Sequence, residues 1–324
     1  MEYIETERKE TDKEAWLEKR KHYVTGTDAG KLIGVSPYGG MFSVWLDKTG
    51  RSEALTETPA MKAGKTFESG ILKMYAEELD CKLEHVDGYD LKTCEKFPRL
   101  GASLDGWNHD LGIPVDAKNI RWKDEKWGDA YTSDFPDYYK AQLQVQMMVT
   151  GAKFAHLAVM FSGQDFFVYQ MEYDDEMAAK ILEASEAFWP YVESDEMPEA
   201  DGSDGAKNFI KDKFAVGKLD ESKEATEEIK ETIRQLKNAK AAKAEATGKE
   251  TELSNRIKAF MGDATVIPGY ATWKNNKDSK ETDWEAVARE AMEGMNPTQR
   301  ADIIARNTVS KAGARTLRIT AKGF

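Results

Sequence analysis

Histidine and cysteine are scarce in this sequence: four histidines (His22, His85, His109, His156) and two cysteines (Cys81, Cys94) stand among 324 residues. No histidines are spaced as HxxxH and no cysteines as CxxC, so a zinc site built on imidazole or thiolate is not expected, and any metal should be held by oxygen. One cysteine pair is no disulfide framework for a chain this long, and both thiols read as reduced and structural. No apolar run reaches the ~18 residues that span a bilayer. The chain opens acidic rather than with a basic lead into an apolar stretch. The expectation is a soluble, cytoplasmic protein.

Positive charge is also short. The net charge is −12, which by itself argues against a polyanionic partner, since phosphate binding draws on Lys and Arg to displace counterions. The distribution is uneven: residues 1–200 hold 23 Lys+Arg against 38 Asp+Glu, and residues 201–324 hold 23 against 20. An acidic half suits a divalent-cation site, provided that local basic residues guide a nucleic-acid strand; Arg121, Lys123 and Lys126 are candidates. A substantial core is available, because 40% of the residues are apolar and eight are Trp.

Periodicity predicts short helices over 16–23 and 27–33, with Thr27 or Asp28 capping the second. A longer amphipathic helix follows over 60–79, with Phe67, Ile71, Met74 and Tyr75 on its apolar stripe. Strands are expected near 81–87, 99–105 and 113–120, a helix over 137–150, strands over 154–161 and 166–173, and a helix over 174–193. This order makes an α/β domain with a mixed sheet. The polar stretch SDEMPEADGSDG at 194–205 is a boundary. Beyond it a charged helix over 220–261, which Gly248 could break into a hairpin, precedes a small β/α unit with strands near 265–273 and 315–320 and a helix near 283–293. The apolar spacing of the long helix suits either a coiled-coil contact or packing on its own domain.

The chemistry sits in SLDGWNHDLGIPVDAKN, residues 103–119. In a strand, alternate residues share a face, so Asp116 and Lys118 point one way while Val115 and Ala117 point into apolar packing. A turn at Asp110, Leu111 and Gly112 can fold Asp105 back beside Asp116. Two converging carboxylates with a lysine beside them form a hard-cation site with an ammonium at its edge, the parts that phosphodiester hydrolysis needs. Lys118 could orient water or neutralise developing charge; the spacing alone also fits a solvated edge strand. Glu68, in a helix beside the apolar stripe, is either a flank charge or a third metal carboxylate. Gln142 and Gln146 lie one helical turn apart, as a strip facing either a site or solvent.

These segments together resemble the YqaJ-like viral recombinases, which are similar to the lambda-type alkaline exonuclease in the PD-(D/E)xK nuclease superfamily. The resemblance rests on Trp16 and Arg20 followed by TGT at 25–27, then GVSPY (34–38), GKTFE (64–68), SLDG (103–106), VDAK (115–118) and AQLQ (141–144), in the family's order. It spans roughly residues 16–193. It implies a restriction-endonuclease-like core with a mixed sheet flanked by helices in a nuclease domain over 1–200, with residues 201–324 as a helical and small β extension. Glu68, Asp105 and Asp116 would bind Mg²⁺, with Mn²⁺ substituting. Lys118 would be the catalytic lysine, Gln142 would support the site, and Arg20, Thr27 and Ser103 would hold a terminal 5′-phosphate. Leu104 replaces the usual Pro, and Asp116 the more usual Glu. The implied activity is 5′-to-3′ exonuclease action on linear double-stranded DNA in phage-type recombination. A single-strand annealing protein and a homo-oligomeric ring are the implied partners. An endonuclease using the same site, or a catalytically weak DNA-binding or assembly module, are the alternatives.

Overall fold

The computed structural model describes residues 2–5, 12–52, 57–86, 89–216, 221–275 and 283–308. Strand β1 (Glu2–Glu5) and helices α1 (Asp12–Arg20), α2 (Gly26–Leu32), α3 (Met41–Lys48) and α4 (Pro59–Glu78) come first. Strands β2 (Lys82–His85), β3 (Lys92–Thr93), β4 (Gly101–Ala102), β5 (Gly106–Asn108) and β6 (Ile113–Ile120) follow, then helix α5 (Asp137–Thr150), strands β7 (Phe154–Phe161) and β8 (Asp165–Glu172), and helices α6 (Asp175–Glu193) and α7 (Asp204–Lys213). These elements form one compact unit, Met1–Lys213, and the second unit is Phe214–Phe324. The first unit thus runs past the polar stretch at 194–205, because Ala206 and Phe209 of α7 pack into the same core as Phe42 and Trp45 of α3.

Six strands make one sheet in the order β1-β2-β5-β6-β7-β8. Pairing is parallel for β1/β2 and β6/β7 and antiparallel for the rest. The expected α/β class with a mixed sheet between helices is therefore the observed one. Gly112, at φ 67°, makes the β5–β6 turn without a Cβ clash. The parallel step from β6 to β7 crosses through α5, as a parallel pair requires.

Alternation along the central strands assigns the two faces. Asp116 is in register with Leu157, Ala117 with Ala158, and Lys118 with Val159. On one face Leu157, Val159 and Phe161 pack with Leu143 and Met147 of α5. On the other, Val115 and Ala158 pack with Ile71, Leu72, Tyr75 and Ala76 of α4. Burial of each large side chain there contributes about 2 kcal/mol. The α4 stripe differs from expectation: Phe67 and Met74 are exposed at 53% and 36%, and the buried row is shifted to Leu72 and Ala76.

Further elements differ. Thr25, not Thr27 or Asp28, is the N-cap of α2, with Asp28 as its third-position partner. The strand expected over 99–105 is the two-residue β4, after which the chain leaves pairing before Asp105. Helices α3, α7 and strand β1 had no periodic signal long enough to read.

In the second unit, helix α8 (Glu227–Met261) runs unbroken through Gly248. One glycine costs about 1 kcal/mol, and the flanking Ala, Glu and Lys residues with i,i+3 ion pairs such as Lys230–Glu227 and Lys249–Glu252 outlast it. Strands β9 (Val266–Ile267) and β10 (Ala271–Thr272) form a hairpin, and helices α9 (Trp284–Ala291) and α10 (Pro297–Asn307) follow. The strand expected near 315–320 lies outside the described residues.

Candidate active site

Asp116 is the most buried carboxylate of the site, 1% exposed. It faces α5 on the apolar side of the sheet, where an unpaired charge would be prohibitive. Its Oδ1 accepts the amides of Gln142 (2.7 Å) and Gln146 (2.9 Å), and its other oxygen is ion-paired with Lys118. The two glutamines are therefore a strip aimed at the sheet, not at solvent. Gln146 makes the same contact as Gln142 and reaches the Ser103 carbonyl as well, at 3.4 Å; the one-turn spacing was its signal.

Asp105 comes from the approach to β5. Its Oδ2 accepts the Ala117 backbone N–H at 2.9 Å and lies 3.8 Å from Lys118 Nζ. The β5–β6 hairpin thus brings it beside Asp116, as the spacing suggested. Burial, then the neighbouring Asp116 charge, pushes its carboxyl up to about 8. Burial alone would depress the Lys118 ammonium, but the charges of Asp116 and Asp105 outweigh it and hold that pKa at about 12. Lys118 is consequently a fixed cation at neutral pH. Glu68, on α4, adds its negative charge to the field at both Asp105 and Lys118. Its carboxylate lies 3.2 Å from His85 Nε2 on β2, a neighbour that sequence spacing could not reveal.

A cavity of about 310 Å³ opens over this cluster. Glu68, Asp105, Gln142, Ser103, Arg20 and Thr27 all line it, together with Trp16, Thr25 and Gln146. Asp116 and Lys118 stand behind the lining. The Ser103 hydroxyl accepts the Trp16 indole N–H at 3.0 Å, and the Arg20 guanidinium stacks on the same indole at 4.5 Å. Arg20 also donates to Thr25 Oγ1 at 3.4 Å, and the Thr25 and Thr27 hydroxyls are 3.3 Å apart. The lining thus combines the Arg20 guanidinium and the Thr25, Thr27 and Ser103 hydroxyls with the carboxylates of Glu68 and Asp105.

The carboxylates of the site offer only oxygen donors, and burial with the neighbouring Asp116 and Glu68 charges raises Asp105, so the donor chemistry fits a hard cation. Among the described residues no three His, Cys, Asp or Glu side chains are close enough together to hold a metal ion. The Lys118 ammonium takes up the negative field between the two aspartates instead. Cys81 and Cys94 are both free, and His109 pairs with Glu84 away from this cavity.

Comparison with known proteins locates the chain. It is 28% identical over 285 residues to the uncharacterized protein YqaJ of Bacillus subtilis (strain 168), covering 82% of this chain and 84% of the relative. Among solved structures it is similar to an alkaline exonuclease, LHK-Exo, from Laribacter hongkongensis, with a TM-score of 0.45 and 19% identity over 56% of this chain and 94% of the other. A phage-related exonuclease from Haemophilus somnus 129PT matches with a TM-score of 0.40 and 13% identity over 53% and 96% of the two chains. Residues 15–153, the span that holds the cavity residues Arg20, Thr27, Glu68, Ser103, Asp105, Gln142 and Gln146 together with Asp116 and Lys118, match the family model of the YqaJ-like viral recombinase domain.

Proposed function

We propose that this chain is a magnesium-dependent exodeoxyribonuclease that digests linear double-stranded DNA from 5′ ends, as a recombination nuclease would. The observation that carries the reading is the convergence of Asp105, Asp116 and Lys118 beside a cavity that Arg20, Thr27 and Ser103 also line. Phosphodiester hydrolysis needs fixed carboxylates for a hard cation and a cation for the transition-state charge, and end recognition needs a separate anion pocket.

Asp105 and Asp116, with Glu68 drawn closer than it stands in this structure, would hold Mg²⁺, or Mn²⁺ in its place. A bound ion supplies Lewis-acid chemistry, offsetting phosphate charge and making water a better nucleophile. The protein's own residues supply the rest. Gln142 and Gln146 fix the Asp116 carboxylate from the α5 side, so that its second oxygen stays directed at Lys118. Lys118, a cation beside Asp116 and Asp105 in the metal-free site, would act as a hydrogen-bond donor toward the scissile phosphate. Arg20 and Thr27 would receive the terminal 5′-phosphate by charge-assisted hydrogen bonds. Arg121, Lys123 and Lys126 would guide the duplex. A ring assembly and a single-strand annealing partner fit a recombination role.

The test is a mixture of labelled linear duplex and covalently closed circular duplex with Mg²⁺, sampled over time. Loss of the linear substrate with survival of the circle is expected. Linearisation of the circle at a comparable rate would replace the exonuclease with an endonuclease, and no loss of either would leave a DNA-binding or assembly module.

A further inference from the structure

The pocket that would take the terminal phosphate is anchored from below by a buried ion pair with no part in the chemistry. Lys48, on α3, is 0% exposed at its side chain, and Asp28, on α2, 6%; their Nζ and Oδ2 atoms are 2.6 Å apart. Asp28 Oδ2 also accepts the backbone N–H of Thr25 at 2.9 Å and its hydroxyl at 2.6 Å. Lys48 donates a second bond to the Arg20 carbonyl at 3.1 Å, and lies 3.4 Å from Asp47 at the rim. One pair therefore ties the last residue of α1, which carries the guanidinium, to the cap of α2, which carries the hydroxyls.

The pair also fixes the direction of hydrogen bonds. Burial alone would raise the Asp28 carboxyl, but the Lys48 charge, with hydrogen bonds from Lys48 and Thr25, holds it down at about 2. An ionised carboxylate only accepts. The single proton of Thr25 is thus committed to Asp28, and Thr25 Oγ1 can only accept from its other neighbours, Arg20 and Thr27. Both of those donors are held at the cavity wall, poised to turn to an anion. A buried pair of this kind is weak evidence for stability, because well-packed apolar residues often do as well.

We infer that Asp28 and Lys48 are positioning residues that set Arg20, Thr25 and Thr27 to receive a terminal phosphate of DNA. The inference rests on the 5′-phosphate part of the proposed function. Its test is the affinity of the full chain, in EDTA, for fluorescent linear duplexes bearing either 5′-phosphate or 5′-hydroxyl ends, so that cleavage does not enter. The double variant Asp28→Asn/Lys48→Met, which removes both charges together, should lose about tenfold of the preference for phosphorylated ends, the scale of one charge-assisted contact. Its affinity for hydroxyl ends should stay close to that of the unsubstituted protein. Adding Arg20→Ala to the double variant should remove no further preference, which a merely structural pair would not produce. If the double variant does not fold, Thr25→Val should lose the preference and Thr25→Ser keep it. Full preference in the folded double variant, or in Thr25→Val, overturns the inference. Absence of any preference in the unsubstituted protein overturns the phosphate pocket itself, and the inference with it, while leaving the cleavage reading to the linear-versus-circle experiment.

Discussion

At the scale of single residues, the two aspartates of the site are not equivalent. Asp105 sits where burial and like charge disfavour its ionised form, so its loss relieves repulsion. Asp116 accepts from Gln142 and Gln146 and pairs with Lys118, so its loss strands three polar partners. Both substitutions to Ala should reduce Mg²⁺-dependent cleavage by roughly a hundredfold or more, as expected when a group that stabilises the transition state is removed. In metal-free thermal melts at pH 8, Asp105→Ala should melt higher than the unsubstituted protein. Asp116→Ala should lose about 3 kcal/mol, the cost of breaking a buried pair from one side. Full cleavage by folded Asp116→Ala protein would remove the site assignment. His156 gives a pH prediction outside the site. Buried on the α4 face at 4% exposure, its Nδ1 lies 2.7 Å from the Tyr75 hydroxyl, and burial depresses its pKa from 6.5 to about 4. Between those values the unfolded chain binds more protons than the folded one, so stability falls as pH drops through that window, by up to about 3 kcal/mol near pH 4. Subtracting the melting curve of His156→Gln, which cannot titrate, should expose that loss; identical pH profiles would contradict it.

At the scale of elements, the close approach of α2 to α5 is the contact that sets the site. A Cβ on Gly26 would lie 2.8 Å from Gln142 Cγ and 3.0 Å from its Cα and carbonyl oxygen, and backbone atoms cannot swing aside. Gly26→Ala should therefore cost about 2 kcal/mol through overpacking. It should also lower cleavage by pushing Gln142 off Asp116. Gly64, inside α4, has nothing within 4 Å of its Cβ position, so Gly64→Ala should instead gain up to about 1 kcal/mol of helix propensity. Urea titration of the two variants gives the comparison, and a neutral Gly26→Ala would mean that the helices can separate freely.

At the scale of the molecule, every candidate site residue lies in the first compact unit, Met1–Lys213, which has its own core on both sheet faces. A protein ending at Lys213 should unfold in one cooperative transition and cleave linear duplex at a rate within about threefold of the full chain per binding event, as an independent domain would. Loss of the folded state on truncation, seen by circular dichroism, would show that residues 214–324 are needed for the core. The surplus of acidic residues over 1–200 makes guiding Lys and Arg contacts few, and added salt should depress activity in both proteins alike.

The lengths of α4, α5, α6, β6, β7 and β8 were legible in the sequence, since each carries enough periodic apolar residues to bury a face whatever its partners. The facing of Asp116 and Lys118 was legible for the same reason: a period of two needs no tertiary knowledge. Short elements were not, because α3, β1 and β4 owe their form to neighbours rather than to local pattern, and Gly248 was misread because a single breaker competes with the whole of α8. Only the tertiary structure decided that Gln146 joins Gln142 on Asp116, that His85 stands beside Glu68, and that Lys48 reaches Asp28. Each of these contacts joins residues far apart in the chain, and it is chain folding, with the need to satisfy every buried charge and donor, that selects them.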